Sequence, residues 1–82
     1  MVEEVVRERI RTMIRTGELP CEDPQRLWGG TSSGKRCAGC LQPIPPHDFE
    51  FEAELAGQTL YFHSVCHRIW LEECADGPAV AR

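Results

Sequence analysis

The chain has no apolar run approaching the roughly 20 residues that span a bilayer. It opens Met1-Val2-Glu3-Glu4, without the basic segment and apolar stretch of a secretory signal. A membrane or secreted protein is therefore not expected, and the cytoplasm is the expected location. Aromatic residues are few, 7% of 82 residues, and a chain this small buries too little apolar surface to be comfortably stable without an added constraint. An excess of basic residues is also missing: 9 Lys and Arg stand against 13 Asp and Glu, a formal net charge of −4, which counts against non-specific nucleic-acid binding. Nor is there an even cysteine count. Five cysteines in a chain without a secretory pattern read better as metal ligands than as a disulfide framework. What is present, 41% hydrophobic and 27% charged residues, is close to globular averages and does not suit a disordered chain.

Val2, Val5, Val6, Ile10, Met13 and Ile14 recur at helical spacing, with Glu3, Glu4 and Glu8 early and Arg9, Arg11 and Arg15 late. That order complements a helix dipole, and Gly17 is a natural stop. An amphipathic helix over residues 2–16 is expected, packing its apolar stripe within the domain; the same stripe also suits homodimerisation or a partner's groove. Residues 17–36 carry Gly17, Pro20, Pro24, Gly29, Gly30 and Gly34 around Thr31-Ser32-Ser33, the composition of a long connector. Leu19, Leu27 and Trp28 are its candidate anchors.

From Phe49 to Leu55 apolar and acidic residues alternate strictly, and Thr59-Leu60-Tyr61-Phe62-His63 follows beyond Gly57. This is the pattern of a β-hairpin. Pairing Phe51 with Phe62 and Ala53 with Leu60 gathers the apolar side chains on one face, whereas a slip of one residue sets them against carboxylates. The register implies a four-residue loop from Leu55 to Gln58. Ser64 then caps a helix running to about Cys74, with Val65, Ile69, Trp70 and Leu71 as its apolar residues, ended by Asp76-Gly77-Pro78.

The chemistry is concentrated in two pairs. Cys37-Ala38-Gly39-Cys40 lets two sulfurs converge on one ion, and His63-Ser64-Val65-Cys66 repeats the spacing after 22 intervening residues, the stretch that the hairpin folds back. Three sulfurs and one nitrogen close a tetrahedron and leave no place for substrate, as in structural Zn²⁺ sites. A redox dithiol at Cys37 and Cys40 leaves the returning pair unexplained and lacks the βαβ setting of such motifs. The ligands are thus expected to be Cys37, Cys40, His63 and Cys66, with His63 preferred over His67 for its regular spacing. The hairpin register sets Glu50 across from His63, where it is expected to hydrogen-bond the ring nitrogen that does not bind metal.

The segment from Cys37 to Cys66 resembles the first zinc module of a LIM domain, with its Cys-x₂-Cys pair and its closing Phe62-His63-x₂-Cys66. More broadly it is similar to treble-clef zinc fingers. That resemblance implies a knuckle bearing Cys37 and Cys40, His63 at the hairpin's end and Cys66 in the first helical turn. Only Cys74 follows Cys66, so a second LIM module has no counterpart. The whole chain resembles small bacterial zinc-binding proteins, in its Gly17-x-Leu19-Pro20 segment, its Trp28-Gly29 element and the two ligand pairs.

Gly29 to Lys35 formally matches a phosphate-binding loop, but Arg36 replaces the Ser or Thr that would hold Mg²⁺ and no strand is expected before it; it reads as flexible connector. His47 reads as a turn residue. Cys21 and Cys74 read as small buried hydrophobes, and Glu50, Glu52 and Glu54 as the wet face of the hairpin. The expected fold is a small α+β, zinc-stabilised domain: residues 1–36 an N-terminal helix and connector, 37–76 the zinc-binding module, 77–82 a flexible tail. The expected role is a non-enzymatic interaction or regulatory module with a protein partner. The alternative is a nucleic-acid-binding regulator using the arginines of the first helix with Lys35 and Arg36. An enzyme, which would need an open metal position or a reactive Cys21 or Cys74, ranks third.

Overall fold

Five elements follow in order along the chain: α1 (Glu3–Thr16), β1 (Arg26–Thr31), β2 (Phe49–Leu55), β3 (Gln58–His63) and α2 (Ser64–Ala75). This computed structural model describes residues 2–75; the expected stop at Asp76-Gly77-Pro78 and the tail at 77–82 lie outside them. The class is α+β, two helices and a three-stranded antiparallel sheet of order β1-β2-β3.

α1 forms where the periodicity places it. Glu3 and Glu4 occupy its first turn and Arg15 its last, and Gly17 ends it in the left-handed conformation at φ 86°, donating its N–H to the Ile14 carbonyl. Its buried face, Val6, Ile10 and Met13, joins one core with Leu19, Ile44, Phe62, Cys66, Ile69 and Trp70. The apolar stripe is therefore satisfied largely inside the domain, against α2 and the ligand-bearing turn.

Charges clasp the same pair of helices. The buried Glu73 carboxylate of α2 accepts hydrogen bonds from Arg7 at 2.8 Å and from Arg11 at 2.9 and 3.3 Å. Arg7 also donates to Glu72 and Glu3, and Arg68 to Glu3 and Glu72. The guanidinium of Arg11, and then that of Arg7, hold the Glu73 carboxyl below the usual range against the opposing effect of burial.

The hairpin has the expected register, with Glu50, Phe51 and Ala53 facing His63, Phe62 and Leu60. The pairing continues to Leu55 and Gln58, so the turn is shorter than expected, Ala56-Gly57 alone, with Gly57 at φ 85°.

Two expectations need correction. Residues 26–31, read as connector, form β1 and pair along β2 from Arg26–Glu54 to Thr31–Phe49. Glycines weaken a strand in isolation, but here Gly29 has a packing role: a Cβ on it would lie 2.6 Å from Phe49 Cζ, so the missing side chain makes room for the ring on the neighbouring strand. The remaining connector is fastened by the Trp70 indole N–H, which donates to the Pro20 carbonyl at 2.9 Å.

Cys21 and Cys74, read as unpaired hydrophobes, form a disulfide with a Cα–Cα separation of 5.5 Å. The Trp70–Pro20 bond brings the two segments together, and the odd cysteine count resolves into three sulfurs in one cluster and two in a bridge. By the chain-entropy argument a closed loop of 53 residues destabilises the unfolded chain by about 4 kcal/mol.

Replacing Glu73 by Gln keeps the shape and removes the charge that Arg7 and Arg11 share. The expected loss is about 1–3 kcal/mol at neutral pH, read by urea unfolding. Because the carboxyl is held below its ordinary 4.5, its contribution is present above that value and disappears as pH falls through the lower folded one. The difference between wild type and E73Q should narrow over the same range.

Candidate metal centre

The turn carrying Cys37 and Cys40 is closed by the backbone before any metal is considered. Arg36 and Pro43 form an antiparallel bridge, Cys37 N–H donates to the Gln42 carbonyl, and Leu41 N–H donates to the Cys37 carbonyl, each at 2.9 Å. The left-handed residue of this knuckle is Leu41, at φ 66°. Gly39 serves a different purpose. A Cβ there would lie 3.0 Å from Cys66 Cβ and 3.1 Å from Ile10 Cδ1, so the glycine lets the knuckle seat against both α1 and the start of α2.

β3 delivers His63 as its last residue, and α2 delivers Cys66 from its first turn. The three Sγ atoms of Cys37, Cys40 and Cys66 and a ring nitrogen of His63 all lie within 4.8 Å of one another. His63 Nδ1 is 3.4 Å from Cys40 Sγ and 3.9 Å from Cys66 Sγ. Around a tetrahedral Zn²⁺, sulfur and nitrogen ligands stand about 3.6 Å apart and sulfur pairs about 3.8 Å, from bond lengths of about 2.3 and 2.0–2.1 Å. The cluster thus has the donor set and nearly the size of such a site. All three cysteines are buried and His63 is half-buried.

The sulfurs are set up electrically as well. Cys37 Sγ accepts the N–H groups of Gly39 at 3.3 Å and His63 at 3.4 Å. The neighbouring Cys66 thiol, offering its proton, and then backbone N–H groups hold the Cys37 thiol well below its ordinary range against the opposing effect of burial. Sharing that proton with Cys37, and then burial, push the Cys66 thiol up; burial does the same for Cys40. Close thiols resist ionising together, and a cation bound among them reverses that preference.

His67 stands apart from the cluster. Its ring stacks on Phe51 at 4.3 Å and meets Phe62 and Trp70 edge-on, and burial lowers its pKa. It packs the helix against the sheet. Glu50 lies across from His63 in the expected register, but no hydrogen bond joins them, and its buried Oε1 has no partner among the described residues. The His63 ring directs Nδ1 to the sulfurs, and pairing in register alone does not bring the Glu50 oxygens to the other nitrogen. The Gly29–Lys35 stretch forms no phosphate cradle: its first residues belong to β1, the Ser32 hydroxyl donates to the Ile44 carbonyl and accepts from Gly34 N–H, and the Lys35 ammonium lies over the Tyr61 ring.

Sequence reasoning gathered the four residues that cluster here but missed the two devices that seat them, the Gly39 contact and the N–H groups aimed at Cys37. Neither leaves a pattern in the sequence beyond a glycine inside Cys-x-x-Cys. In comparison with family models, curated proteins and solved structures, the chain matches none.

Cys66→Ser is expected to weaken divalent-metal binding by more than about a hundredfold, beyond the range for loss of a merely supporting group. His67→Ala should leave metal stoichiometry unchanged. Competition with a chromophoric chelator measures both. Affinity should fall with decreasing pH, because the raised thiols of Cys40 and Cys66 must lose their protons to bind.

Proposed function

We propose that this chain is a non-enzymatic protein-interaction module built around one structural Zn²⁺ held by Cys37, Cys40, His63 and Cys66. The observation that carries the reading is the convergence of three thiols and one imidazole at the size of a tetrahedral site. The thiolate-rich set selects a soft or borderline cation, and S₃N tetrahedra suit zinc where oxygen sites suit magnesium or calcium. With all four positions filled by side chains, the metal has no vacancy in which to activate water or polarise a substrate. Its contribution is to folding, with an apparent binding free energy of roughly 10–16 kcal/mol against about 5–15 kcal/mol for the net stability of whole domains.

The origin of the ligands supports a treble-clef arrangement: two from a knuckle, one from the end of a hairpin and one from the first turn of the following helix. A protein partner is favoured over nucleic acid by two observations. The net charge is −4, and three zinc-bound thiolates with one dication would make it more negative still. Arg7 and Arg11, the central arginines of α1, are already paired with Glu73, which reduces the cationic surface available to phosphate. Among the described residues no helix is long and apolar enough to cross a membrane.

Native mass spectrometry with and without a chelator tests the metal reading. One zinc per chain is expected, and chelation should abolish the ordered structure of the segment from Cys37 to Cys74, followed by circular dichroism and amide dispersion. A metal-free, folded chain with intact thiols would overturn the proposal.

A further inference from the structure

The two edges of the sheet are treated differently. Along β3, the knuckle covers the outer backbone: Ala38 N–H donates to the Tyr61 carbonyl at 2.7 Å, and His63 N–H points at Cys37 Sγ. Along β1 nothing comparable is found among the described residues. Ser32 N–H donates to the Asp48 carbonyl at 2.8 Å, one pair beyond Thr31–Phe49 in the same register. Antiparallel pairs alternate between bonded and non-bonded, so Arg26, Trp28 and Gly30 bond inward to β2. Leu27, Gly29 and Thr31 therefore turn their N–H and C=O groups outward.

An open edge of this kind is a template for another strand. Its side chains do not defend it. Leu27 is 46% exposed, Trp28 45% and the adjacent Phe49 50%, while Gly29 and Gly30 have no side chain to hold a neighbour away. The pleat sorts these groups by face. Leu27, Gly29 and Phe49 lie on the face shared with Ala53 and Phe51; Trp28 lies on the other, beside Glu52, with Glu54 one pair further.

We infer that the outer edge of β1 docks an extended segment of another protein in which basic and apolar residues alternate, adding a fourth strand to the sheet. This rests on the interaction-module reading and deepens it by naming the surface and the chemistry of the partner. Charge complementarity selects the occupant: Glu52 and Glu54 are half-exposed on a chain of net charge −4. Trp28 already receives one cation, with the Arg26 guanidinium 5.9 Å from its ring centre, so it offers a face suited to lysine or arginine. A basic side chain of the added strand reaches past Trp28 toward Glu52, which faces Trp28 on β2, and the apolar ones cover Leu27 and Phe49. Backbone bonds supply register and the two faces supply selectivity, as in strand addition generally.

The test uses the zinc-loaded full chain and a blocked synthetic peptide alternating lysine and valine. Binding is expected to shift the Trp28 fluorescence and to slow hydrogen exchange at the Leu27, Gly29 and Thr31 amides. A glutamate–valine peptide, and the lysine–valine peptide with proline at its centre, should each bind at least about tenfold more weakly. Glu52→Lys should reverse the charge preference. Thr31→Pro removes one outward N–H without touching the inward ladder, and should lower affinity while zinc stoichiometry is kept. The proposal is overturned if the zinc-loaded chain ignores the lysine–valine peptide, binds both peptides equally, or binds without protecting those three amides. It is also overturned if the amides are already protected in the free chain, whether by a second copy, as dilution would reveal, or by the chain's own terminal residues. A zinc-loaded chain that fails these tests leaves the metal reading standing; failure to hold zinc sinks both.

Discussion

Three thiols and an imidazole share a volume in which their ligating atoms are at most 4.8 Å apart, and all of them can assume their metal-binding form together only around a cation. That electrostatic constraint organises the rest. The knuckle, the end of β3 and the first turn of α2 supply the donors; α2 follows β3 directly, and the knuckle is joined to β3 by the Ala38–Tyr61 backbone bond. α2 leaves the sheet from this point with Trp70 stacked on Phe62, and Ile69 and Trp70 join Val6, Ile10 and Met13 of α1 in one core.

Around this centre, further fastenings act on the same two helices. Glu73 receives Arg7 and Arg11 from α1, and Trp70 and Cys74 hold α2 to the chain around Pro20 and Cys21. The disulfide encloses all four residues of the cluster within its loop, so a metal held there would be nested inside the covalent cross-link. A disulfide acts mainly by restricting the unfolded chain, whereas a bound metal adds free energy to the folded state alone. They are thus complementary, and neither substitutes for the other. Under reducing conditions Cys21 and Cys74 would stand as thiols, leaving the core, together with a metal where one is bound, to hold the fold.

How much was readable in the sequence follows the range of the interactions involved. α1, the hairpin and α2 are written in local periodicity, and the hairpin register follows because a one-residue slip would exchange Phe51 for a carboxylate. The ligand pairs are legible because two-residue spacing is itself the geometric requirement. β1 was hidden because its composition, with Gly29 and Gly30, opposes a strand; it exists through pairing with β2 and through the ring of Phe49 lying over Gly29, and neither is visible in a window of residues 26–31. The Cys21–Cys74 bridge was hidden for the same reason, since 53 residues separate its ends and only the folded core brings them together. Glu50 marks the opposite limit. Its register was legible, but the hydrogen bond inferred from it is not made, because strand pairing determines which residues are opposite and not where a flexible carboxylate ends.

The unequal edges of the sheet follow from the same centre. The knuckle lies against β3, where His63, the last residue of that strand, joins the Cys37 and Cys40 sulfurs in one cluster, and it caps the β3 backbone through Ala38. No residue of the cluster comes from β1, and among the described residues no segment is drawn over that side. Among the described residues this short sheet is closed on one edge by the knuckle and open on the other, which gives it a direction of growth. Small domains ordinarily blunt such an edge with charge or proline. Here the strand carries one cation, Arg26, turned over Trp28, beside glycines that keep the backbone accessible. The cluster that gathers the knuckle against β3 therefore also leaves β1, among the described residues, as the edge that remains available.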